Sequence, residues 1–157
     1  MNYEIFTDGS HLDKQNNGRL GIGGVILKEG DSKILDEFSE ELTKDYMLME
    51  YGTVTASNPT AELIAVLRAL QKFRPIIKSP NNTVRVYADF RGVSEWMNGN
   101  WKTKEPYIKK IKDLILEEIQ RQGYNIEFRW VKGHQSGNSI DVRFNNMVDL
   151  LAKGQML

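Results

Sequence analysis

Apolar and polar residues change period several times along the chain, and each change marks an element. Residues 3–7 are β-prone and run into Asp8-Gly9-Ser10. Asp-Gly is a turn signal, because glycine accepts a positive φ and aspartate bonds its own backbone. That places one carboxylate at the tip of a first strand. Asp13, Asn16, Asn17 and Gly18 mark a hairpin loop, and Leu20–Leu27 a second strand. Gly21, Gly23 and Gly24 lie inside this strand. They lack phosphate-loop spacing and no helix follows, so they predict close packing of another element. A turn at 29–31 leads to a third strand, Lys33 to about Leu42. Three strands on short connections predict an antiparallel meander. Residues 43–57 hold no clear period. Tyr46-Met47-Leu48-Met49 is apolar but short, and the stretch reads as an ordered excursion or an extension of the hairpin.

The period then becomes helical. Asn58-Pro59 supplies a favoured N-cap and a favoured first helical residue. Leu63, Val66, Leu67, Leu70 and Phe73 form one apolar face, and Pro75 ends the helix. Glu62 sits in the first turn, with the small residues Ala65 and Ala69 beside it, which predicts a helix lying close on a sheet. Thr83–Ala88 is a fourth strand ending in Asp89. A strand after a helix after a strand predicts a parallel crossover, which sets Asp8 and Asp89 side by side at one sheet edge. Gly92–Met97 reads as a short helix and Glu105–Gln122 as a long amphipathic one, with Ile108, Ile111, Ile115 and Ile119 in a stripe and Gly123 as its stop. Asn125–Val131 is a fifth strand, whose Trp130 is expected in the core. Residues 133–139 form a polar loop containing His134, and Asp141–Lys153 is a last helix carrying Asp149. The predicted order is β-β-β-α-β-α-α-β-α: an α/β fold with a five-stranded mixed sheet, three antiparallel strands then parallel ones, flanked by helices. No repeat or linker divides residues 1–157, so one domain is expected.

Composition narrows the chemistry. The chain has no cysteine, which excludes thiolate catalysis, disulfides and Cys-ligated zinc. No signal peptide or membrane-length apolar run is visible, so a cytoplasmic protein is expected. The net charge is zero, yet Lys102, Lys104, Lys109, Lys110 and Lys112 cluster around Trp101 and Tyr107, opposed only by Glu105. Basic residues interleaved with aromatics suit a nucleic-acid backbone, and equally the solvated face of a helix.

The topology gives four acids one address: Asp8, Glu62, Asp89 and Asp149. Carboxylates brought together repel unless cations neutralise them. An oxygen-rich set without cysteine suits hard ions such as Mg²⁺ or Mn²⁺. Two such ions ~4 Å apart support phosphodiester cleavage.

The motifs carrying these acids resemble those of the type 1 ribonuclease H family: Thr7-Asp8-Gly9-Ser10, Asn58-Pro59-Thr60-Ala61-Glu62-Leu63, Val86-Tyr87-Ala88-Asp89, Val131-Lys132-Gly133-His134 with Ser136-Gly137-Asn138, and Asn145 to Asp149 followed by Leu-Leu-Ala. All five occur in the family's order, from about Tyr3 to Lys153. The resemblance implies a ribonuclease H-like fold and an endonuclease cutting the RNA strand of RNA–DNA hybrids to 3′-hydroxyl and 5′-phosphate ends. It implies that Asp8, Glu62, Asp89 and Asp149 hold two Mg²⁺, with Mn²⁺ as a substitute, and that Asp8, on the central strand, bridges both ions. His134 would assist proton transfer or product release. Gly9, Ser10 and Asn58 would touch the hybrid, Gly9 letting its backbone near the metals. Trp96 would flank the DNA strand or belong to the core. A monomer without an obligate protein partner is expected. Other nucleases of this architecture that act on DNA, and a non-catalytic hybrid-binding module, are the alternatives. The chain departs from the family at Phe90, where serine is usual, and at Pro59, where a second asparagine often stands. It also lacks a basic protrusion near 101–107, has a longer interval between His134 and Asp149, and carries an apparent insertion at 43–57.

Overall fold

The computed structural model describes residues 1–12, 19–52, 58–79, 81–103, 105–132, 137 and 139–154. His134 lies outside the described residues, as do residues 13–18 of the hairpin loop expected at 11–18 and the side chain of Asn58. The elements in order are β1 (Asn2–His11), β2 (Arg19–Lys28), β3 (Ile34–Thr43), α1 (Lys44–Tyr51), α2 (Asn58–Lys72), α3 (Arg74–Ile77), β4 (Thr83–Ala88), α4 (Arg91–Met97), α5 (Pro106–Gln122), β5 (Asn125–Trp130) and α6 (Ile140–Ala152).

The strands form one sheet in the order β3-β2-β1-β4-β5. β1, β2 and β3 pair antiparallel, while β4 pairs parallel with both β1 and β5, so the expected mixed sheet is present. Side chains alternate across its two faces. Ile5, Leu20, Ile22 and Ile26 join the larger core with residues of α1 to α5. Phe6, Val25 and Leu27 face the other way and pack on Phe144, Val148 and Leu151 of α6. The central strand β1 is therefore buried on both sides, and the candidate site lies at the end of its ladder with β4. No described helix is long and apolar enough to cross a membrane.

The glycines of β2 act as their spacing predicts. A side-chain carbon on Gly21 would overlap the Ala152 carbonyl, and one on Gly23 would stand 2.6 Å from Leu151 Cβ. The C-terminal turn of α6 thus lies directly on the β2 backbone. The Ser39 hydroxyl fastens it further, donating to the Leu151 carbonyl at 2.6 Å.

Three elements differ from expectation. β1 does not stop before Asp8: antiparallel pairing with the equally long β2 carries it through Asp8↔Gly23 and Gly9↔Ile22 to His11. Within the stretch expected to be irregular, Lys44–Tyr51 is helical. Its cap is Thr43, whose hydroxyl accepts from the Tyr46 N–H at 3.2 Å, and it ends at Gly52 with φ 69°. Its apolar residues run consecutively instead of following one face, so Met47 and Tyr51 are buried while Leu48 and Met49 stay exposed. Finally, Pro75 does not simply end a helix. α2 stops at Lys72, and Pro75 lies in the first turn of α3, where a missing N–H costs nothing.

Candidate metal centre

Asp8 and Asp89 meet because of the β1–β4 register. The parallel ladder ends at the pair Thr7↔Ala88, so each aspartate is the next residue beyond it on adjacent strands. Glu62 arrives from α2, just past its first turn because the helix already begins at Asn58, and the approach of that helix depends on Gly9. A side chain at Gly9 would overlap the Ala61 carbonyl carbon and stand 2.5 Å from the Glu62 nitrogen. The bare position therefore makes room for α2. Gly9 is itself buried, and its bare side faces that helix.

Asp8, Glu62 and Asp89 each offer a carboxylate oxygen within 4.8 Å of the others. Asp8 and Glu62 are only 3% and 4% exposed, and Asp89 is half-buried. Burial disfavours the ionised forms, and crowding adds to it. The Asp8 carboxyl is pushed up from its ordinary 3.8 to about 8, chiefly by burial, then by the Asp89 charge and by a hydrogen bond with Asp149 and its charge. A hydrogen bond with Glu62 works the other way. Glu62 is held well above the usual carboxylate range by burial first and the Asp8 charge second. The two carboxyls are hydrogen-bonded to each other, and burial and crowding together disfavour ionising both. Asp8 Oδ1 also accepts from the Gly9 N–H at 2.9 Å, while Glu62 Oε2 is buried with no hydrogen-bond partner among the described residues.

This donor set fits a hard divalent cation. The ligating atoms are carboxylate oxygens, they converge from three elements, and one buried oxygen lacks a partner. A cation there would remove the penalty that burial places on the ionised acids.

Asp149 stands outside the set of three. It lies within hydrogen-bonding reach of Asp8, but its Oδ2 accepts from Nζ of Lys153, the residue just past the end of α6, at 2.9 Å. Asp141, the first residue of the expected last helix and so a candidate for its cap, does not cap it. Ser139 does, accepting from the Val142 N–H at 3.3 Å, which leaves Asp141 exposed in the first turn. Asn145, one turn before Asp149, is 3% exposed with its Oδ1 unpartnered among the described residues.

Ser10 is half-buried on β1, and Asn58 begins α2. Trp96 is half-buried, which fits the core place expected for it. It packs against the large core and Phe90, and its ring meets Trp101 edge-on at 5.9 Å. With Asn100, Trp101, Lys102, Glu105 and Ile108 it also lines a surface cavity of about 530 Å³. Phe90, following Asp89, is absorbed by that aromatic contact, in space left by the missing side chain of Gly92.

Trp130 overturns its expected place in the core: it is 50% exposed. The β4–β5 ladder closes with Val131 N–H donating to the Ala88 carbonyl at 2.9 Å, leaving the Asp89 carbonyl one step past it. The indole N–H fills that step, donating to the Asp89 carbonyl at 2.9 Å. The sequence pattern gives neither Trp130 nor Lys153 a place beside the acids. For Lys153 a signal existed, a base four residues after an acid on a predicted helix. For Trp130 none did.

Comparison with known proteins agrees with this arrangement. The family model described as RNase H matches residues 1–156. Ribonuclease H of Actinobacillus pleuropneumoniae is 35% identical over 156 residues, covering 96% of this chain and 87% of its own. Ribonuclease HI of Haemophilus influenzae is 33% identical, covering 96% and 86%. Among solved structures, LC11-RNase H1 in complex with RNA/DNA hybrid superposes with a TM-score of 0.75 at 24% identity, over 98% of this chain and 95% of that one. The fold is thus that of the ribonucleases H, and a family match over nearly the whole chain, with relatives above 30% identity, makes this protein a member of the RNase H family.

Proposed function

We propose that the chain is a metal-dependent endoribonuclease that hydrolyses the RNA strand of RNA–DNA hybrids, leaving 3′-hydroxyl and 5′-phosphate ends. The observation that carries this reading is the convergence of the Asp8, Glu62 and Asp89 carboxylates in a member of the RNase H family. The hybrid bound to LC11-RNase H1, a protein of the same fold, supports the choice of substrate.

In this reading Asp8, Glu62, Asp89 and Asp149 hold two Mg²⁺, which Mn²⁺ can replace. When bound, the ions supply Lewis acidity and neutralise charge developing on the scissile phosphate. The chain contributes position and proton control. β1 and β4 fix two ligands at the end of one ladder, and α2 brings the third against Gly9. Glu62, ionised, would complete the ligand set at the inner end of the site. His134, between β5 and α6, moves a proton toward the leaving group or assists release. Gly9, Ser10 and Asn58 contact the hybrid beside the acids. Trp96, with Trp101 and the exposed Lys102, Lys109 and Lys110, borders the other strand. The chain works as a single catalytic domain, as a monomer in the cytoplasm.

The test is incubation of a labelled RNA–DNA hybrid with the protein and Mg²⁺. Cleavage confined to the RNA strand is expected, with 5′-phosphate on the downstream fragment, and it should vanish in Asp8→Asn. Intact RNA, or faster cutting of duplex DNA, would overturn the reading.

A further inference from the structure

We propose that Lys153 is a built-in counter-ion for Asp149, which a divalent cation must displace before Asp149 can serve as a ligand. The inference rests on the metal-dependent reading above and concerns how that site is filled.

Three observations combine. Asp149 is the one expected ligand outside the mutually close set of acids, and its Oδ2 is taken by Lys153 Nζ at 2.9 Å. The backbone carrying both residues is held in place: Leu151 and Ala152 lie against Gly23 and Gly21, and Ser39 bonds the Leu151 carbonyl. The ammonium, by contrast, ends a flexible stem on a side chain 42% exposed, while the Asp149 side chain is 22% exposed. The anion is therefore fixed and the cation can swing away.

The plainer reading is an ordinary i,i+4 pair at a helix end, helped by the helix dipole. Such a pair would have no consequence for the acid cluster. Here the partner lies beside Asp8, and the ammonium stands in the field of Asp8 and Asp89 as well as Asp149. Lys153 and a divalent cation thus compete for the same oxygens. Because the ammonium regains water when it leaves, the handicap it imposes is modest.

A double-mutant cycle on Mn²⁺ binding, followed by calorimetry on the full chain, tests this. Lys153→Met keeps the apolar stem and removes the charge. It should tighten Mn²⁺ binding roughly 2- to 5-fold, the scale of a partly exposed ion pair. In the Asp149→Asn background the same change should do nothing. Lys153→Arg should bind as the parent does, which separates charge from packing. Equal tightening in both backgrounds would mean general attraction to a more acidic surface and overturn the proposal, as would no tightening in either. Failure of the parent protein to bind Mn²⁺ at all would instead remove the metal-dependent reading, and the proposal with it.

Discussion

Asp8 illustrates how one buried carboxylate ties stability to pH. Its pKa rises from 3.8 in the unfolded chain to about 8 in the folded one, mainly through burial. Between those values the folded protein binds more protons than the unfolded one, so stability falls as pH rises. The contribution of Asp8 is full below 3.8 and lost once pH passes about 8. Asn cannot ionise, and its amide oxygen can still accept from the Gly9 N–H. Without divalent ions at pH 8, Asp8→Asn should be more stable than the parent by roughly 1–3 kcal/mol, with a flatter stability–pH curve between 4 and 8. Urea unfolding across that range measures it. A variant less stable than its parent at pH 8 would show that the charge is not costly there. What made Asp8 hard to value in isolation is that Asp-Gly ordinarily marks a turn. Its meaning comes from Ala88↔Thr7 pairing, a contact made 81 positions along the chain, which no local pattern encodes.

At the level of elements, the docking of α6 on β2 is the most sensitive joint. A methyl group on Gly23 would lie 2.6 Å from Leu151 Cβ and 2.8 Å from the Ala152 nitrogen, and neither is a flexible chain end. Gly23→Ala should therefore cost roughly 1–3 kcal/mol or more, as overpacking does, and should lower hybrid cleavage by moving Asp149 outward. Urea midpoints and cleavage rates measured together check this. An unchanged midpoint would mean that α6 is not held by that contact. These glycines were legible because a β-prone run containing three of them is hard to explain without a close neighbour. α2 and α5 were legible through their apolar stripes. α1 was not, because the residues that bury it, Met47 and Tyr51, are separated by exposed Leu48 and Met49, which blur any face. The strand position of Trp130 was read correctly, but an indole at a strand end is ordinarily core. The Asp89 carbonyl, one step beyond the ladder and bonded by the indole N–H, explains why it turns outward.

For the whole molecule, the cost of gathering acids predicts a ligand-linked stability. A cation that binds the folded state alone stabilises it in proportion to its saturation. Mg²⁺ or Mn²⁺ should raise the melting temperature, and more at pH 8 than at pH 5, where protons already occupy Asp8 and Glu62. Differential scanning calorimetry at both pH values tests it; equal shifts would argue that binding does not displace those protons. The address of the acids followed from topology alone, since a crossover sets the ends of β1 and β4 together. The division of labour within the site did not. That three acids close on one another while Lys153 holds the fourth depends on side-chain reach at the end of α6.

The indole of Trp130 carries one more consequence. Half exposed, with its N–H fixed on the backbone of Asp89, it is a chromophore attached to a candidate ligand. Any movement of Asp89 changes the polarity and hydrogen bonding felt by that ring. A cation held by Asp89 should therefore shift the ultraviolet emission of Trp130, which a fluorescence titration with Mg²⁺ would read.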